Sequence, residues 1–363
     1  MTTMFFRFPL EPTWGGAEKL TFEFLSRIAG SNRKSAIYCN HLPLAQRCRE
    51  GGVGAVVAWA GWEPTVWWAI FFSPLTALAC GLILLRAVIS HGRPETVYCT
   101  TLADKLFITP WALVIACNVV WIEHTRLGRW FFDNPFLPLY RLLSRRVRII
   151  APSYFLRDQL LKAKIPFDRI RIIYPGTAIS DESNKTEKAV DAPTVGFLGR
   201  LAQEKGLATL IQASAYLSDQ THILIAGDGP EKKRLEQMAS DEGVSQKIEF
   251  AGVINNIDDF FARIDALAVP SLEAESFGLV ALEAMAHGVP VVASRIGALP
   301  EIIEHERTGL LFTPGSSDEL ASSLHRLLES STLYNRLAQE ARRAVKRRFR
   351  IERYVEDLGR VEA

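Results

Sequence analysis

From residue 193 onward the chain alternates short apolar, β-branched runs with longer runs whose apolar positions recur every three or four residues. "TVGFLG", "HILIAG", "KIEFAG", "ALAVPS" and "VPVVAS" read as strands. "GLATLIQASAYL", "EKKRLEQMASDEG", "NIDDFFARI", "LVALEAMAHG" and "SSDELASSLHRLL" read as the helices between and after them, the last opened by a capping box at Ser316-x-x-Glu319. Strict strand–helix alternation implies βαβ units on a parallel sheet.

The first half carries the same rhythm less cleanly. Strands are predicted at "SAIYC", "GAVVAWA", "TVYCT", "NVVWI", "VRIIA" and "IRIIY". Helices are predicted at "AEKLTFEFLSRIA", 74–90, around 103–112, 136–145 and "SYFLRDQLLKA". The segment 180–192 is polar, charged and aperiodic, as a linker is. The pattern therefore predicts an α/β protein of two Rossmann-like, doubly wound domains facing across a cleft: residues 1–179, a linker 180–192, residues 193–344, and a helical, basic tail 345–363 crossing back to the first domain.

Composition narrows the class. With 363 residues and 48% hydrophobic content the chain can bury two cores. Forty-two basic against forty acidic residues give +2, too close to balance for the total charge to suggest a nucleic-acid partner. The five cysteines form no C-x-x-C pair, and most lie in apolar runs where buried, reduced thiols are expected, which fits a cytoplasmic setting. "MTTMFFRFPLEPTWGG" has neither the basic start nor the long apolar core of a secretory signal.

In open α/β sheets ligands gather beyond the carboxyl ends of the strands, so the post-strand loops are where chemistry is expected. "GRLAQEKG" presents Arg200 and Lys205 where a helix begins. Two cations beside a helix N-terminus suit a diphosphate, because backbone N–H groups donate and the side chains neutralise charge. Taken alone, the same residues also suit a solvated turn. "IAGDGPEKKRLE" is a turn opened by Pro230, and no G-x-G-x-x-G follows a strand, so the dehydrogenase fingerprint is missing. "SLEAESFGLVALEAMAHG" places Glu275 in a turn and Glu283 about one turn into a helix beginning near Leu279. Glu283 could accept from vicinal ribose hydroxyls, while Glu275 and the backbone of Phe277, Gly278, Leu279 and Val280 could reach a sugar and its diphosphate. Acids near a helix start for dipole reasons are the structural alternative.

"GRLAQEKG", "IAGDGPEKKRLE" and "PSLEAESFGLVALEAMAHGVPVVASRIGALPEII" resemble the retaining glycosyltransferases of family 4, with GT-B fold. The resemblance covers the second half densely. In the first half it rests on "WGGAEKL", "WIEHT", "IIAPSYFLRDQL" and "IRIIYPG". It implies a UDP-, GDP- or ADP-sugar donor in the C-terminal domain, an acceptor in the N-terminal domain, retention of anomeric configuration, and neither cofactor nor obligatory metal. It assigns the diphosphate to Arg200 and Lys205, the ribose to Glu283, and the sugar and phosphate to Glu275 with the amides after it. Close approach of the N-terminal loop falls to Gly15 and Gly16, and the transferred sugar to His124. Where the family often has Asn-Gly, this chain has Pro175-Gly176, and residues 40 to 95 match no motif. A glycosidase pair of carboxylates, a nucleotide-sugar epimerase or phosphorylase of the same fold, and a non-catalytic sugar-nucleotide binder are the rival readings.

Residues 64–85 are uncharged and long enough to be a transmembrane candidate. Because strands of one sheet flank the segment, a helix part core and part membrane-facing is expected instead. Arg141, Arg145 and Arg148 are expected on one helical face, an edge suited either to anionic headgroups or, equally, to a charged solvent face on a core helix. Together these suggest a peripheral enzyme on the inner face of the cytoplasmic membrane, building cell-envelope glycan on a lipid-linked or membrane-proximal acceptor.

Overall fold

A computed structural model of the chain describes residues 2–8, 15–30, 34–59, 64, 67–179, 192–254 and 256–362. Contacts divide it into two compact units, Met1–Tyr174 with Ile351–Ala363, and Pro175–Arg350. Of the expected linker, residues 180–191 lie outside the described residues.

The first unit is built on seven parallel strands: β1 (Thr2–Arg7), β2 (Lys34–Cys39), β3 (Gly54–Val57), β4 (Thr96–Cys99), β5 (Asn118–Ile122), β6 (Arg148–Ala151) and β7 (Ile170–Ile172), ordered β3-β2-β1-β4-β5-β6-β7. The inner strand β1, paired on both edges by β2 and β4, is one the hydropathy pattern does not single out. Its Met4, Phe5 and Phe6 are fully buried, as a strand covered on both faces requires. Arg7, which interrupts the apolar run, is buried because its Nε donates to Glu18 Oε1 at 3.0 Å. The helix Leu42–Glu50 was likewise unread.

Three expectations need correction. The helix expected around 103–112 is two, Leu102–Phe107 and Thr109–Val114, and Pro110 occupies the first turn of the second, where its missing N–H costs nothing. The basic tail is also two helices, Ser331–Arg348 and Ile351–Glu362, divided at the buried Phe349. The second packs into the first unit through Ile351, Tyr354 and Leu358, and the Tyr98 hydroxyl donates to the Leu358 carbonyl at 3.4 Å. Finally, the three arginines do not share a helical face. The helix Leu137–Ser144 ends before Arg145, and Arg148 opens β6. Arg141 Nε donates to the Ala163 carbonyl at 2.8 Å and Arg148 donates to the Val361 carbonyl, so two of the three serve the fold.

The second unit has six parallel strands: β8 (Thr194–Leu198), β9 (His222–Ala226), β10 (Ile248–Gly252), β11 (Ala266–Val269), β12 (Val291–Ser294) and β13 (Leu310–Phe312), ordered β10-β9-β8-β11-β12-β13. Val195, Phe197, Ile223, Ile225 and Val292 pack with Leu320, Leu324 and Leu327 of the helix Ser317–Glu329 to form its core. That helix is capped by Ser316 Oγ, which accepts from the Glu319 N–H at 3.3 Å. The box is not closed in the expected way, because the Glu319 carboxylate accepts from the Thr313 N–H at 2.8 Å. All five cysteines are free and buried, as the pattern implied.

Candidate active site

Each sheet reverses its strand order beside its first strand, between β1 and β4 in one unit and between β8 and β11 in the other. At such a switch point the loops leaving two adjacent strands diverge and open a crevice at their carboxyl ends. In the second unit those loops carry the predicted residues. Gly199 and Arg200 follow β8, and Arg200 is exposed. Lys205 ends a short 3-10 turn, Gln203–Lys205, and Gly206 then takes a left-handed conformation at φ 66° before the helix Leu207–Ser214. A side chain at Gly206 would place Cβ 2.0 Å from the Pro270 carbonyl oxygen, so only glycine lets the two loops touch. The Leu272 N–H closes the contact by donating to the Glu204 carbonyl at 2.9 Å.

This zipper brings together two groups 70 residues apart. Lys205 Nζ donates to Glu275 Oε1 at 2.7 Å, and Ser271 Oγ donates to the same oxygen at 2.7 Å. The ammonium is 31% exposed and the carboxylate 19%, so water screens the pair and its contribution to stability is small. A partly exposed, water-screened ammonium can exchange its partner at small cost. Ser271 was not predicted; its hydroxyl fixes the carboxylate that orients the lysine.

Glu275 is held from its other side, where the Ala298 N–H donates to its carbonyl at 3.0 Å. Phe277 is buried, its ring 6.0 Å from that of Phe349. Gly278 precedes the helix Leu279–Ala286, which starts at the predicted residue. Leu279 and Val280 are its first two residues, whose N–H groups have no partner within the helix. Glu283, the fifth, lies one turn into the helix as the spacing implied, and is 7% exposed within the buried run Ala281–Ala286. Its carbonyl accepts from the His287 N–H at 3.1 Å, and His287 Nε2 lies 2.8 Å from Asp258 Oδ1.

The remaining predicted residues lie in the first unit, beside a buried polar network that the sequence did not announce. Gly15 is extended, and its N–H donates to Glu18 Oε2 at 3.1 Å; Gly16 begins the helix Gly16–Ala29. Arg7 also reaches Thr100 Oγ1 at 3.1 Å, and the Asp104 carboxylate accepts from the Thr100 and Thr101 N–H groups at 2.8 Å each. Lys105 Nζ pairs with Glu123 Oε1 at 2.7 Å, and the Tyr140 hydroxyl donates to that oxygen at 2.7 Å. The available signal was two charges, Asp104 and Lys105, inside an apolar run, and an acid at the carboxyl end of β5.

His124 follows Glu123. Burial pushes its imidazole well below the ordinary histidine value, and the Arg7 and Lys105 cations add to the shift. The folded state therefore holds His124 neutral while the unfolded chain protonates it below about pH 6.5. The unfolded state then binds more protons, so stability is lost as pH falls below that value. We expect the His124 ring signals in NMR to stay at neutral-form positions from neutrality to below pH 6; a midpoint near 6.5 would contradict this arrangement.

Two family models match the chain: "Glycosyltransferase Family 4" over residues 14–180 and "Glycosyl transferases group 1" over residues 179–344. A GDP-mannose-dependent phosphatidylinositol monomannoside mannosyltransferase of Mycobacterium tuberculosis is 27% identical over 347 residues, covering 87% of this chain and 86% of the relative. An uncharacterized glycosyltransferase of Methanocaldococcus jannaschii is 29% identical over 251 residues, covering 63% of this chain; the match spans 64% of that relative's own length, a little under two thirds. Among solved structures, Anabaena HepE in complex with UDP superposes with a TM-score of 0.85 at 23% identity, covering 99% of both chains.

Proposed function

This chain belongs to the family 4 glycosyltransferases of GT-B fold, and we propose that it moves a sugar from a UDP-, GDP- or ADP-sugar to a hydroxyl acceptor with retention of anomeric configuration. The observation that supports this most is the Lys205–Glu275–Ser271 contact across the β8–β11 switch point, with the start of the Leu279–Ala286 helix beside it in the chain. Breaking a sugar–phosphate bond builds positive charge on the anomeric carbon and negative charge on the departing diphosphate. In this reading Arg200, Lys205 and the N–H groups of Leu279 and Val280 donate to that growing negative charge. Glu283 is assigned to the ribose hydroxyls and Glu275 to the sugar, in addition to its hold on Lys205. With no nucleophile assigned on the protein, the leaving phosphate takes the acceptor's proton as the acceptor attacks the same face. Transfer by this route needs neither metal nor cofactor. Gly15, Gly16 and His124 belong to the unit to which the acceptor is assigned; a neutral His124 can accept or donate one hydrogen bond to the sugar without adding charge.

The acceptor we favour is a lipid-linked or membrane-proximal glycan on the inner face of the cytoplasmic membrane. The mycobacterial relative, named as a phosphatidylinositol monomannoside mannosyltransferase, supports that choice. Melting curves in UDP, GDP, ADP and their sugars provide the test, since a ligand that binds only the folded chain raises its Tm. At least one diphosphate should do so, and its sugar should yield a glycoside whose anomeric proton matches the donor's configuration. An inverted product would refute retention, and a free epimerised nucleotide sugar would refute transfer.

A further inference from the structure

The first unit also carries an apolar surface that its fold leaves open, independent of the transfer chemistry. The helix Ala69–His91 is long and apolar enough to cross a bilayer by length and composition, yet only 22% of its most apolar stretch is buried. It lies between β3 and β4, strands of one sheet with β2 and β1 between them, so it cannot pass through a membrane without separating that sheet. Its orientation is the reverse of a core helix. Thr76, Cys80, Leu84 and Ala87 form the buried stripe, whereas Phe71, Leu75, Leu78, Leu82, Leu85 and Ile89 are 54–76% exposed. Dock-side packing is specific: the Trp111 indole donates to the Ala77 carbonyl at 2.8 Å, and a Cβ on Gly81 would come within 2.7 Å of that ring.

We infer that this helix is an in-plane anchor whose outward face enters the acyl-chain boundary of an anionic phospholipid leaflet. Three observations select lipid over a second copy of the chain. From Ile70 to Leu85 every exposed side chain is apolar, so the face lacks the hydrogen-bonding rim of a protein interface. Exposure extends beyond one stripe to Ile70, Phe72 and, outside the helix, Val114, wider than a two-helix seam. Charge and aromatics are also placed for a membrane surface. The helix has no acid, its exposed Arg86 and the following Arg93 are basic, and Trp67, Trp68 and Trp111 are 39–71% exposed where interfacial indoles are favoured.

The test is flotation of the purified full chain with phosphatidylcholine–phosphatidylglycerol vesicles, comparing wild type with Leu78→Gln/Leu82→Gln. Both leucines are more than half exposed, so the variant should melt like wild type and keep the same Tm response to nucleoside diphosphates. Its vesicle affinity should fall on the order of 100-fold, the scale of two leucines leaving an apolar phase. Tryptophan emission of wild type should shift to the blue on vesicle addition. Equal binding by both proteins, no binding by wild type, or a wild-type dimer by light scattering that the double variant dissociates would each overturn the anchor. A failed nucleotide response with intact vesicle binding would instead overturn the donor assignment alone.

Discussion

Replacing Lys205 by alanine is expected to lower kcat/KM for sugar transfer about 100- to 1,000-fold, the range found when one preorganised donor to a developing anion is removed. The effect should fall on kcat, because negative charge on the diphosphate is greatest as the bond breaks. The pair with Glu275 is partly exposed, so the melting temperature should barely move. Lys205→Arg keeps the charge but not the point geometry, and should recover part of the activity. Glu275→Gln should cost less than loss of the lysine if its task is to aim the ammonium, and Ser271→Ala less again. Wild-type turnover in Lys205→Ala would remove the ammonium from the chemistry.

Lys105→Met is expected to destabilise the protein by about 3–5 kcal/mol, because it strips the ion partner from a buried carboxylate. Both side chains of the Lys105–Glu123 pair are 4% exposed, and their contact is 2.7 Å. The Tyr140 hydroxyl would remain as donor to Glu123, but a neutral donor cannot balance the charge. Burial, reinforced by the Glu123 charge, already holds that phenol's pKa well above its ordinary value. Lys105→Met/Glu123→Leu should recover most of the loss, since an apolar pair of similar volume needs no compensation. Urea denaturation of the three proteins measures the difference. A single variant within about 0.5 kcal/mol of wild type would show the pair to be solvated. His124 follows Glu123 directly, so the network that stabilises the unit also fixes the ground on which His124 stands.

What the sequence disclosed and what it withheld follow from the range of each interaction. Strands β8, β9, β11 and β12 carry apolar runs because inner parallel strands are covered on both faces, whereas the edge strand β10 admits the exposed Glu249; the helix at Leu279 announces itself through Gly278 and the periodicity after it. β1 escaped notice because Arg7 breaks the run, and nothing local says that Glu18, eleven residues on, will neutralise it. Arg148 was placed on a helix because spacings of four and seven suit one; that residue instead starts a strand after the Leu137–Ser144 helix has ended. In the site, residue types were legible but partnerships were not. Lys205 and Glu275 were both singled out, yet only the contact of the two loops, permitted by Gly206, makes them one unit. The burial of Glu283 was likewise not legible, because a single glutamate carries no record of the side chains that enclose it.

The crevice between the loops after β8 and β11 is the feature on which the function rests, and a crystal grown with the nucleoside diphosphate selected by the melting screen tests it most directly. The diphosphate should lie within hydrogen-bonding distance of Arg200, Lys205 and the N–H groups at Leu279 and Val280, with the ribose hydroxyls on Glu283 and Lys205 drawn from Glu275 toward phosphate. A nucleotide bound elsewhere, with the Lys205–Glu275 pair intact and Glu283 still enclosed by its apolar neighbours, would contradict it.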